Sequence, residues 1–186
     1  GYWSSETLFD VLSFQLLQGN PATALKEPYS LVITQEMAQK LFGDADPMGQ
    51  VVVRNGDKPW TITGVMQDIP YYSHLQFEAL GSFITLEQQM EQTSRFYSFE
   101  AMFSNYVYAL LPEGGEPEQL QAQLDRMAET ENAKLEETTI TYGLQALTSI
   151  TPGESLSNQA GPTMDTDTIY ILLALAAVII ISACFN

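Results

Sequence analysis

The sequence is poor in the side chains that most chemistry uses. A single cysteine, Cys184, and a single histidine, His74, leave no pair from which a disulfide, a C-x-x-C redox motif or a His/Cys metal site could be built. Basic residues are scarce as well: 7 Lys and Arg stand against 23 Asp and Glu, a net charge of −16. Phosphate backbones and anionic head groups would be repelled by such a chain, which excludes nucleic acid as a partner and a basic surface patch as a membrane anchor. No G-x-S-x-G elbow, H-E-x-x-H pair or Walker loop occurs. After Asp167, charge of either sign is absent altogether.

The stretch beyond that last charge is the most informative part of the chain. From Ile169 to Phe185, 17 residues run without a charge, Gly or Pro, and ten of them are Ile, Leu, Val or Phe. A core helix keeps one polar stripe; this run is apolar on every face, the pattern of a membrane-spanning helix. Residues of this kind favour insertion by about 0.3 to 0.6 kcal/mol each, at most roughly 3 to 6 kcal/mol together. A helix of 17 residues reaches about 25 Å of a hydrocarbon core of about 30 Å, so the sequence is read as stopping inside the helix. Its visible flank carries Asp165 and Asp167 and no Lys or Arg, which by the positive-inside rule places that flank outside the cytoplasm. A signal peptide is excluded, because the run lies at the wrong end and has no basic n-region.

The preceding residues are enough for one core or two small subdomains. Ser5 is placed to cap a short helix on which Leu8, Phe9 and Leu12 share a face, and Ser13 to Leu17 reads as a strand closed by Gly19-Asn20-Pro21. Pro21 to Leu25 fits one helical turn. Tyr29 to Ile33 is a β-rich run, after which Thr34 predicts an N-cap, Met37, Ala38, Leu41 and Phe42 an apolar helix face, and Gly43 the helix end. Asp46-Pro47-Met48-Gly49 is a turn. Gln50 to Arg54 and Trp60 to Met66 read as strands joined through Asn55-Gly56, the favoured two-residue hairpin signal. A loop over Gln67 to Gln76 leads to a strand near Phe77 to Thr85, then a polar helix or loop over Leu86 to Tyr97. Ser104 to Leu111 predicts a buried strand. Pro117 at N1 opens a helix striped by Leu120, Leu124, Met127 and Ala128, and Thr139 to Leu147 has strand spacing. Thr148 to Asp167, rich in Ser, Thr, Gly and Pro, reads as a linker. Recurring strand-helix-strand units predict an α+β domain of ferredoxin-like type.

Candidate reactive groups are few, and none is assigned a catalytic, cofactor-binding or metal-binding role. Ser73 and His74 are chain neighbours, so on an extended segment their side chains point apart, and a loop role is preferred over a nucleophile-base pair. Neither Asp44 with Asp46 nor Asp165 with Asp167 sits in a loop with the glycine and terminal glutamate of an EF-hand; they read as solvated turn carboxylates. Tyr71, Tyr72, Tyr97 and Phe99 are read as core rather than as interface anchors.

An ordered series of motifs then gives a specific resemblance. Phe14-x-Leu-Leu-x-Gly19, Pro28-Tyr-Ser-Leu-Val-Ile-Thr34, Ala38-x-x-Leu-Phe-Gly43, Asp46-Pro-x-Gly49, Thr61-Ile-Thr-Gly-Val65, Asp68-x-Pro70 and Ser73-His74 succeed one another along the chain. With Gln145-Ala-Leu-Thr-Ser-Ile150 and Ile181-Ser-Ala-Cys-Phe-Asn186, the chain resembles the extracytoplasmic domain of MacB/FtsX-type ABC transporter permeases. The resemblance implies a core domain over residues 1–150 whose opening strand and a first membrane helix would precede Gly1, with a variable insertion lobe at roughly 82–100. It implies a linker over 151–168 and the start of a membrane helix at 169–186. It further implies a cell (inner) membrane protein with residues 1–168 on the periplasmic side. A cytoplasmic ABC ATPase would act through the membrane helices, beside a second permease half or homodimer and a periplasmic adaptor. The implied role is transmission of conformational change during ATP-driven export or extraction, without catalysis or cofactors of its own. The alternative is a membrane-anchored sensor or ligand-binding domain, which needs a concave pocket with convergent polar groups; an anchored hydrolase would need an activated nucleophile.

Overall fold

The computed structural model describes residues 1–53, 58–90, 105–135, 138–154, 156–161 and 163–185. The chain divides into two units, Gly1–Leu110 and Leu111–Asn186. The first is built on a six-stranded mixed sheet, formed by β1 (Tyr2–Ser4), β2 (Leu16–Gly19), β3 (Ser30–Thr34), β4 (Val51–Val52), β5 (Trp60–Met66) and β6 (Ala79–Ser82). Its order is β1-β6-β3-β5-β2, with β4 pairing the early part of β5 at Val52↔Trp60 and β2 its later part at Leu16↔Met66. β3 and β5 are parallel and are joined through α2 (Gln35–Phe42), the β-α-β unit that the sequence predicts. The fold is α+β, as expected.

Each face of the sheet has its own core. On one side Ala38 of α2 is buried against Ile33, Ile62 and Val65 of the sheet, with Met37 and Phe42 packed against them. On the other, Phe9 of α1 (Leu8–Leu12) and Ala24 and Leu25 of the following turn cover Val32, Met66 and Leu80. Burying one Ile or Leu contributes about 1.5 to 3 kcal/mol, so the fully buried Ile33, Ile62 and Leu80 hold the two faces to the sheet. Thr34 caps α2 by accepting from the Met37 N–H at 3.3 Å, and Gly43 ends it, as predicted. Leu41, predicted on the apolar face, is 44% exposed, at the edge of that stripe.

Several elements differ from the sequence reading. A strand opens the chain, β1, running parallel to β6; three residues are too few to display alternation. Ser5 does not cap α1: Thr7 occupies the N-cap position, and the Ser5 hydroxyl pairs with the Thr7 hydroxyl instead. The second strand lies later than predicted, at Leu16–Gly19, because it tracks β5 through a bulge between Leu16 and Gln18. Asn55 and Gly56 lie outside the described residues. The flanking ladder pairs Val52 with Trp60, one residue beyond the Pro59 partner that a regular two-residue turn would give it.

The strand predicted over Phe77 to Thr85 is only Ala79–Ser82, and α3 (Phe83–Met90) begins at once. The cause is Tyr29, whose backbone turns left-handed at φ 57°, so β3 cannot extend backward to pair with more of β6. Its N–H donates instead to Thr85 Oγ1 at 2.7 Å, and Ser82 Oγ lies 2.7 Å from the same hydroxyl. Part of the expected insertion lobe, residues 91–100, lies outside the described residues. The strand predicted over Ser104 to Leu111 is not formed among the described residues 105–111: Val107 and Leu110 stay 89% and 68% exposed, with no ladder beside them to use their alternation.

In the second unit α4 (Pro117–Asn132) has Pro117 at N1 as predicted, with Leu120 and Leu124 half-buried and Ala128 buried. The strand predicted over Thr139 to Leu147 is also absent. That segment lies along α4 as a strap whose backbone is held by side-chain amides. Asn132 donates to and accepts from Ile140, at 2.8 and 2.7 Å, and Gln121 donates to the Tyr142 carbonyl and accepts from the Leu144 N–H, at 2.7 and 3.1 Å. Separated by three helical turns, the two amides share one face of α4, so they meet the strap where a neighbouring strand would. A single 3₁₀ turn, Leu147–Ser149, comes next, and α5 (Thr166–Cys184) closes the chain.

Candidate functional site

In the loop after β5, Ser73 and His74 go to separate partners. Ser73 Oγ accepts from the Leu75 N–H at 3.2 Å, and His74 Nε2 lies 3.1 Å from Tyr108 Oη. The imidazole is thus directed at a phenol rather than at the serine hydroxyl. Burial holds His74 below its ordinary value; burial, helped by Tyr106 and Tyr2, holds the Tyr108 hydroxyl above its own. Around neutral pH the neutral ring and the protonated phenol therefore share one hydrogen bond, which pins the loop to the segment preceding Leu110. Sequence reasoning did not find Tyr108, because nothing local links it to a histidine 34 residues away.

Asp68 of the same loop has a role that its position in the chain does not suggest. Its Oδ1 accepts from the Glu36 N–H at 2.8 Å, satisfying a first-turn donor of α2 across 32 residues. Near that helix, Lys40 Nζ bridges Glu36 at 3.1 Å and Glu78 at 2.8 Å. The Glu78 contact, then the Glu36 contact, raise Lys40, and the bond to Lys40 lowers Glu78.

Tyr71 and Tyr72 are not core residues. They are 90% and 75% exposed and stack edge to face on each other, with ring centroids 5.4 Å apart. The Ser73 N–H bonded to the Pro70 carbonyl closes a tight turn, with both tyrosines at its two central positions. Tyr97 and Phe99 lie outside the described residues. The two tryptophans, also aromatic, meet over the sheet: Trp3 and Trp60 stand 5.3 Å apart, and a Cβ on Gly81 would come within 3.2 Å of both rings.

The acidic pairs serve the backbone. Asp46 Oδ1 accepts from the Met48 N–H at 3.0 Å, making an Asx turn. Asp165 caps α5 by accepting from the Asp167 N–H at 3.0 Å. No group of three potential metal ligands occurs among the described residues. Among the described residues, the first unit carries clefts at its surface. One of about 470 Å³ runs beside α2 and is lined by Gln18, Gln35, Gln39 and Asp46; one of about 500 Å³ is lined by Glu6, Lys26, Glu27 and Glu87.

The remaining feature is α5. Its 19 residues include an 18-residue stretch of mean hydropathy 2.3 and none is buried, so it is long and apolar enough to cross a membrane. At about 1.5 Å per residue it measures about 28 Å, close to a hydrocarbon core. Leu172, Leu173, Val178, Ile179 and Ile180 are each more than half exposed. A soluble core helix would bury such side chains.

Comparison with known proteins places this arrangement. A crystallised domain of a permease protein from Porphyromonas gingivalis is similar in fold, at 22% identity and a TM-score of 0.50, over 69% of this chain and 58% of that one. The periplasmic region of MacB from Actinobacillus actinomycetemcomitans is similar at 13% identity and a TM-score of 0.46, over 69% of this chain and 55% of that one. This chain thus spans less than two thirds of the length of either. No curated protein matches it. The sequence profile of the MacB-like periplasmic core domain matches residues 1–127, from the first strand of the sheet well into α4. The chain belongs to the MacB-like periplasmic core domain family.

Proposed function

We propose that this chain is the extracytoplasmic part of an ABC transporter permease and that it transmits conformational change during ATP-driven export or extraction of a substrate. The observation that carries the reading is the family match over residues 1–127 on the same chain as α5, an apolar helix with no buried residue. A periplasmic core tied to a membrane helix can move with it. ATP hydrolysis falls to a cytoplasmic nucleotide-binding domain, on this protein or another chain, and reaches this domain through the membrane helices. Residues 1–168 lie outside, 151–168 join core to membrane, and a second permease half or a homodimeric copy completes the transporter, with a periplasmic adaptor as a further partner. The chain itself supplies no catalysis; its only histidine is occupied by Tyr108.

The test is purification of the full-length protein from solubilised membranes, scored for vanadate-sensitive ATP hydrolysis and for a nucleotide-binding subunit or domain by mass spectrometry. Both are expected with the full-length protein, and neither with residues 1–167 alone. Specific ATP binding by residues 1–167, or a full-length preparation without any ATPase, overturns the reading.

A further inference from the structure

The segment between the 3₁₀ turn and α5 has the composition of a flexible linker, and its bonding is that of a closed loop. The Gly153 N–H donates to the Met164 carbonyl at 3.1 Å, and Gly153 pairs with Asp165 in an isolated parallel bridge. Inside the loop, Gln159 is a strut: its amide N–H donates to the Glu154 carbonyl at 3.3 Å, and its Oε1 accepts from the Thr163 hydroxyl. Asp165, at the base, is also the residue that caps α5. The ends of the loop are therefore joined at the first turn of the membrane helix.

Gly153 also sits hard against the 3₁₀ turn. A Cβ there would lie 2.1 Å from the Ser149 carbonyl oxygen and 2.9 Å from that of Ile150. No side chain fits without moving the backbone. The 3₁₀ turn is itself knit by Ser149, whose hydroxyl donates to the Ala146 carbonyl at 2.8 Å, and by Gln145, whose amide donates to the Ser149 carbonyl at 3.1 Å. Upstream of it the strap is fixed to α4 by Gln121 and Asn132. An unbroken series of close contacts thus runs from α4 through the strap and the 3₁₀ turn to Gly153, Met164 and the cap of α5.

We infer that Gly153, Met164 and Asp165 form a clasp that couples α5 to α4, so that a displacement of the membrane helix is delivered to α4 through the strap and is not absorbed by residues 154–163. The inference rests on the membrane-anchored reading of α5. Its specific consequence is that the position of an insertion matters, while its composition does not. Gly-Ser-Gly-Ser placed after Ser157 enlarges a loop that the clasp bypasses. The same residues placed between Ile150 and Thr151 enter the load path and add about 10 Å of flexible reach.

The experiment is pulsed electron-electron spin resonance on the full-length protein in nanodiscs, with native cysteines including Cys184 replaced by Ser and spin labels on Gln123→Cys in α4 and Thr168→Cys in α5. The expected result is a narrow distance distribution for the parent and for the insertion after Ser157, and one broadened by on the order of 10 Å for the insertion after Ile150. Gly153→Val should broaden it as well. A broad distribution in the parent, or equal responses to the two insertions, overturns the clasp. None of these outcomes depends on what the protein transports, so the clasp can fail while ATPase association stands, and the reverse.

Discussion

Replacing Asn132 by Ala tests the account of the second unit at its narrowest point. The Asn132 amide makes two bonds to Ile140, at 2.8 Å to its carbonyl and 2.7 Å from its N–H, and Ile140 is only 2% exposed. A side-chain to backbone bond contributes about 0.5 to 1.5 kcal/mol net, and a buried backbone group stripped of its partner costs about 1 to 3 kcal/mol. Two groups are orphaned together, but Asn132 is only half-buried, so water reaches part of the gap. The expected loss is therefore about 2 to 4 kcal/mol, a large fraction of the stability of a unit this small. Hydrogen-exchange mass spectrometry of the chain in detergent reads it directly: opening at Ile140 should accelerate by roughly 30- to 1,000-fold. Asn132→Asp separates the two bonds. A carboxylate still accepts from the Ile140 N–H but faces the carbonyl without a proton to donate, and protection should return below about pH 4 as the acid form regains a donor. If Asn132→Ala leaves exchange at Ile140 within about twofold of the parent, the amide does not hold the strap and the reasoning is refuted.

Three further outcomes are expected. Gly19→Ala places a Cβ 2.6 Å from the Thr63 carbonyl oxygen at a backbone φ of 101°, so the urea midpoint should fall by the equivalent of about 1 to 3 kcal/mol; an unchanged midpoint would contradict the β2–β5 pairing. Asp68→Ala removes a cap of α2 and should cost about 0.5 to 2 kcal/mol, while Asp68→Asn, which keeps an acceptor oxygen, should lose much less; equal losses would show that the bond to Glu36 is not the cause. His74 is held below 6.5 in the folded chain, so below that pH the unfolded chain binds a proton that the folded one refuses. Stability should then fall as pH drops through 6.5 toward the lower folded value and level off beneath it. His74→Gln should flatten this part of the melting profile, and a parent and variant with parallel profiles between about pH 7 and 5 would exclude the imidazole as its source.

Local chemistry made much of the chain legible. Thr34 caps α2, Gly43 ends it, Pro117 opens α4, and Trp60 to Met66 forms a central strand, because each depends on the backbone preferences of a few adjacent residues. The apolar run became α5 for the same reason: a helix closes its backbone hydrogen bonds within itself and needs no partner to specify it. The ordered motifs carried the family, since turn glycines and prolines recur where the backbone must bend.

Whether an alternating run becomes a strand was decided elsewhere. Residues 105–111 and 139–147 alternate as strands do, yet a strand exists only where another offers its N–H and C=O groups, and for 139–147 those groups are the amides of Gln121 and Asn132. Tyr71 and Tyr72 have the composition of core, yet they are exposed at the two central positions of a tight turn. Asp68 reaches the start of α2 across 32 residues, and Tyr108 reaches His74 across 34. The residues themselves determined what could be buried, capped or turned; the tertiary structure alone decided which distant groups meet, because a hydrogen bond is satisfied by any partner that the fold brings within reach.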